Sequence, residues 1–80
     1  MRREVLRTAA EQGWRLGRTT PDSDVFVKQG RQVTAQYDAG KRLNNVTFTP
    51  PDRVHPTRRL GHKDKNKLPT VIEWLEGREA

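Results

Sequence analysis

Turn-forming residues break this chain about every eight to ten positions between Gly13 and Pro51, and that rhythm limits what it can fold into. The breaks fall at Gly13, Pro21-Asp22, Gln29-Gly30, Asp38-Ala39-Gly40 and Pro50-Pro51. The intervals are too short for ordinary helices, but strands of about five residues fit them. Trp14-Arg15-Leu16-Gly17-Arg18 alternates as a half-buried strand does, Val25–Lys28 is a second short strand, Val33, Ala35 and Tyr37 alternate in a third, and Asn45–Thr49 closes the series. Thr19 to Asp24 reads as turn chemistry, because Pro presets φ and Asp or Ser can bond the backbone. An antiparallel meander of three or four strands follows. Its expected inner face carries Trp14, Leu16, Val25, Val27, Val33, Ala35, Tyr37, Val46 and Phe48. Arg15, Phe26, Lys28, Gln32, Thr34, Gln36, Asn45 and Thr47 are then expected to face outward.

The flanks have the helical period instead. Val5, Leu6, Ala9 and Ala10 share one face of a helix over Arg2–Gln12, supported by Glu4–Arg7 and Arg7–Glu11 pairs and ended by Gly13 as a left-handed C′ residue. Leu68, Val71, Ile72 and Leu75 form an apolar stripe on a helix over Pro69–Glu76, with Thr70 and Glu73 at capping-box spacing and Gly77 after its end. Trp74 lies off the centre of that stripe, to cover the core edge or to stay partly exposed, and in the second case it is a candidate anchor for a protein partner. The expected fold class is therefore α+β, a single domain over 1–80 in the order α-β-β-β-β-α, with both helices on one face of the sheet. From 52 to 67 no period emerges. The segment holds Pro56, Gly61 and many charges, and reads as an irregular basic loop.

At 80 residues the core is thin, and hydrophobic residues make up 31% against 32% charged, with a mean hydropathy of −1.02. No apolar run approaches the roughly 20 residues of a membrane span. The absence of Cys excludes a disulfide framework, a cysteine-ligated zinc module and a cysteine nucleophile. With no secretory signal after Met1-Arg2-Arg3-Glu4, a cytoplasmic location is expected. His55 and His62 lack a metal-site spacing, and Ser23 between Asp22 and Asp24 lacks a positioned base, so no catalytic residue, metal or cofactor is expected.

Charge carries the strongest functional signal. The net charge is +6, unevenly spread: +4 over 51–70 and −2 over 71–80. Arg53, Arg58, Arg59, Lys63, Lys65 and Lys67, together with His62, are the candidate phosphate contacts, with Arg15 and Lys28 on the sheet as further ones. Six neutralised phosphates would give a log–log salt slope of about −5 on duplex DNA. An outward Phe26 between Arg15 and Lys28 would add a surface on which a base could stack. The expected function is a non-enzymatic nucleic-acid-binding module for DNA or RNA. The alternatives are a protein that binds and inhibits a partner protein, and a ribonuclease using His55 or His62.

Residues 3–42 resemble the N-terminal half of the HicA-type messenger-RNA interferases, whose fold is similar to double-stranded-RNA-binding domains. The residues that carry the likeness are the first helix, Gly13-Trp14-Arg15-Leu16-Gly17-Arg18, Ser23-Asp24-Val25-Phe26 and Arg31-Gln32-Val33-Thr34. The resemblance implies the α+β fold and RNA affinity. It does not imply cleavage, because the family's catalytic turn histidine is replaced here by Asp22-Ser23-Asp24, and a carboxylate cannot both take and give a proton near neutral pH. The layout also resembles small accessory proteins of actinobacterial phages.

Overall fold

The computed structural model describes residues 2–52 and 54–77. The chain runs α1 (Arg2–Glu11), β1 (Arg15–Thr20), β2 (Ser23–Lys28), β3 (Arg31–Tyr37), β4 (Leu43–Thr49), β5 (Arg58–Leu60) and α2 (Lys67–Leu75). The five strands form one antiparallel meander in sequence order. The α+β class with a helix at each end of the chain agrees with the sequence pattern, but the sheet has a fifth strand. Arg58–Leu60 lies inside the segment read as an irregular loop, pairing with Val46, Thr47 and Phe48 of β4. Three residues are too few for any period to register.

Local chemistry explains the element ends. α1 closes with Gly13 at φ +81°, where the Trp14 amide donates to the Ala9 carbonyl and the Gly13 amide to Ala10, a Schellman arrangement. The β2–β3 hairpin turns on Gln29 and Gly30, both at positive φ, as a two-residue type I′ turn requires. α2 begins earlier than the capping-box spacing predicts. Asn66 is its N-cap, without a side-chain bond, and Thr70 sits inside the first turns with its amide on the Asn66 carbonyl. Among the described residues no helix is long and apolar enough to cross a membrane.

The register of β2 overturns part of the predicted facing. Phe26 lies opposite Leu16 and Val33, and Val33 opposite Phe48, so Phe26 points into the core and Val25 and Val27 point away from it. Two features fix this phase. Asp24, on the same face as Phe26, is fully buried and ion-paired with Arg2 of α1, with Nε to Oδ2 at 2.9 Å and Nη2 to Oδ1 at 2.8 Å. A β-bulge between Leu16 and Arg18 shifts the alternation of β1. One aromatic ring buries more area than a valine, so Phe26 takes the core side. Lys28 also shares the inner face, and its Nζ donates to the Gln12 carbonyl at 2.6 Å.

Both helices cover this inner face, and Val5, Ala9, Val71, Trp74 and Leu75 pack with Phe26, Val33, Val46 and Phe48. Trp74 is 4% exposed, with its ring 5.7 Å from that of Phe48, so it belongs to the core and is not a surface anchor. The Trp14 indole N–H donates to the Leu75 carbonyl at 2.8 Å, tying the start of the sheet to the end of α2.

Candidate nucleic-acid interface

With both helices on one side, the other side of the sheet is left uncovered. Register places Arg18, Val25, Thr34, Thr47 and Arg59 in one row across all five strands. Arg15, Val27, Gln32 and Thr49 form the row on one side of it, and Thr20, Ser23, Gln36 and Asn45 the row on the other. Arg15 and Arg18 thus stand on one edge strand and Arg59 on the opposite edge, about 19 Å apart at four strand spacings. Between them lie uncharged side chains, mostly Val, Thr, Gln and Asn. Among the described strand residues, no carboxylate and no aromatic ring points to this face. The strands carry six cations, Arg15, Arg18, Lys28, Arg31, Arg58 and Arg59, against one acid, Asp24, which is buried on the inner face.

The other predicted contacts separate. Arg53 lies outside the described residues. Arg58 and Arg59, adjacent on β5, point to opposite faces of the sheet. His62, Lys63 and Lys65 are exposed in the β5–α2 loop, where His62 Nδ1 lies 2.9 Å from Asn44 Oδ1. Lys67 is a structural residue. Its ammonium donates to the carbonyls of Gly61 and His62, each at 3.2 Å, and of Asp64, so three carbonyls surround its three N–H bonds. The predicted loop clamp therefore resolves into exposed Lys63 and Lys65, with Arg59 on the outer face. Arg18 was not among the predicted contacts; the Gly in Arg15-Leu16-Gly17-Arg18 is the sequence signal of the bulge that puts it beside Arg15.

Phe26 in the core removes the predicted stacking surface. The turn around Asp22-Ser23-Asp24 is structural as well. Arg2 binds Asp24, the Thr20 carbonyl at 2.6 Å and the Pro21 carbonyl at 2.7 Å, and Ser23 Oγ shares a 2.7 Å hydrogen bond with Thr20 Oγ1. The Asp24 hydrogen bond is the main reason the Arg2 guanidinium is held still more firmly protonated than usual. Arg2 also lies 5.1 Å from the centre of the Tyr37 ring, whose phenol is pushed far above its ordinary range, first by burial and then by Asp24. No group of three metal-ligating side chains occurs among the described residues. Comparison of the chain with known protein families, curated proteins and solved structures yields no match.

Proposed function

We propose that this protein binds a nucleic-acid duplex through its phosphate backbone, using the outer face of the sheet, and that it is not an enzyme. The observation that carries this reading is the placement of Arg15, Arg18 and Arg59 on opposite edges of a sheet face that neither helix covers and to which no described strand carboxylate points. Arginine grips phosphate through two N–H groups at once, and Lys63 and Lys65 add point charges from the neighbouring loop. Single-strand binders stack bases on aromatic rings, and the described strand residues put none on this face, which favours the duplex. The burial of Asp24 with Arg2 at the turn matching the interferase element supports binding without cleavage. A cytoplasmic location goes with this reading.

The test is binding of duplex RNA, duplex DNA and single strands across a salt series. Three to five phosphate contacts give a log–log slope of about −3 to −4.5 on duplex DNA. Absence of duplex binding at about 50 mM salt, or binding indifferent to salt, ends the proposal. So does capture of one acidic protein partner that survives nuclease treatment while duplexes fail to bind.

A further inference from the structure

A cleft lies on the other side of the sheet, where β4 leaves it. About 250 Å³ in volume, it is lined by Phe48, Pro50 and Pro51, by Asp52 and His55 of the following connection, and by Arg31 and Arg58. Arg31 opens β3 and Arg58 opens β5, and their registers opposite Lys28 and Phe48 put both on the inner face, flanking β4. The prolines fix φ and carry no N–H, so this end of the cleft is stiff and apolar. Pro51 also packs close to Gly30 of the β2–β3 turn, where an added Cβ would stand 3.2 Å from Pro51 Cβ.

The polar groups are arranged for an anion. Asp52 Oδ1 accepts the Val54 amide at 3.1 Å and the His55 amide at 2.9 Å, and His55 Nδ1 lies 3.0 and 3.1 Å from the two carboxylate oxygens. These bonds, the His55 amide first, hold the Asp52 carboxyl below its ordinary range. A carboxylate only accepts, so Nδ1 carries the proton; Nε2 donates to a phosphate oxygen when the ring is the imidazolium, and in the neutral ring it accepts from a protonated phosphate or a ligand hydroxyl. Arg31 and Arg58 outweigh the Asp52 charge. Each guanidinium has five N–H donors, so an internal partner and a ligand oxygen can be served together.

We infer that this cleft binds a nucleoside monophosphate, its phosphate on Arg31, Arg58 and His55 and its flat base against the proline rings, above the buried Phe48 at the cleft floor. The volume lies just under the usual range for small-ligand sites, about 300–1,000 Å³, which limits the occupant to a single small unit. The same chemistry occurs in a free nucleotide and at the 5′-phosphorylated end of a strand.

The experiment is titration of the 15N-labelled full chain with adenosine 5′-monophosphate, adenosine and inorganic phosphate, read by NMR and calorimetry. The expected result is saturable binding of the monophosphate with Kd under about 1 mM. Shifts should centre on His55, Arg58 and Arg31, and both fragments should bind more weakly. His55→Gln and Arg58→Gln should each weaken binding about tenfold, with the amide spectrum confirming the fold. A 5′-phosphorylated oligonucleotide that competes assigns the cleft to strand ends, and one that does not assigns it to free nucleotides; either outcome upholds the inference. Equal affinity for adenosine and its monophosphate, shifts confined to the outer face, or unchanged affinity in both variants overturns it. Because His55 is not part of the outer face, His55→Gln should leave duplex binding intact, so this site and the duplex-binding reading fail separately.

Discussion

Replacing Arg2 by Met tests whether a single ion pair fixes the phase of β2. The carboxylate of Asp24 has no exposed surface, while the Arg2 side chain keeps 24% of its own. Removing the guanidinium leaves Asp24 buried with the Thr19 hydroxyl at 2.7 Å as its remaining side-chain donor. Breaking a buried pair from one side costs about 3–5 kcal/mol, and the lower end applies because truncating a partly exposed side chain opens a path for water. An 80-residue domain has about 4–12 kcal/mol of stability in total, so a loss of about 3 kcal/mol is a large share. It corresponds to a fall in Tm of roughly 12–24 °C. Urea unfolding followed by tryptophan fluorescence reads this directly, since Trp14 and Trp74 are both buried. Asp24→Asn should cost less, because it leaves no charge without a partner in the core and Arg2 keeps its carbonyl contacts. The double variant Arg2→Met/Asp24→Asn should be more stable than the sum of the single losses by at least about 1 kcal/mol. A loss under about 1 kcal/mol for Arg2→Met, or a coupling energy under about 0.5 kcal/mol, would refute the reasoning.

Other parts of the molecule make separate predictions. Arg15→Gln, Arg18→Gln and Arg59→Gln should each reduce the salt slope of duplex binding by about 0.9 while leaving the urea midpoint in place; an unchanged slope in the triple variant counts against the outer face. Gly30→Ala introduces a Cβ at φ +81° and 3.2 Å from Pro51 Cβ, and should lose about 1–3 kcal/mol by urea titration, with a loss below about 0.5 kcal/mol counting against the type I′ turn. Trp74→Ala should lose about 3–5 kcal/mol, as a core ring does; near-wild-type stability would return Trp74 to the surface. The folded-state pKa of Asp52 is depressed, so its hold on the Val54 and His55 amides is complete above the ordinary carboxylate range and is lost as pH falls through the lowered value. Exchange of the Val54 and His55 amides should therefore accelerate only under strongly acidic conditions, and acceleration already at mildly acidic pH would contradict the hydrogen-bonded turn.

The parts of the fold legible in the sequence are those written in local chemistry. Gly13 ends α1, Gln29-Gly30 turns the central hairpin, and Pro50-Pro51 leaves the sheet as the turn residues predict. The facing of β2 was not legible, because it depends on a pairing between residues 2 and 24 and on an extra residue in β1, neither of which leaves a periodic trace. Two outward valines and one inward Phe alternate as well as the reverse arrangement does. Within the candidate site, Arg15 could be placed by alternation alone. The late cations were legible as a group, but their dispersal was not: Arg58 and Arg59 part because neighbours on a strand point oppositely, and Lys67 turns inward because a tight loop presents three carbonyls to it.

The bond from the Trp14 indole to the Leu75 carbonyl has a consequence for how the molecule is made. Helix α2 supplies Val71, Trp74 and Leu75 to the interior, so a nascent chain on the ribosome has a half-roofed sheet until residue 75 emerges. Closure of the core then waits for α2 to join segments made before it, and translation that stops short of α2 yields a product with its apolar side open to solvent.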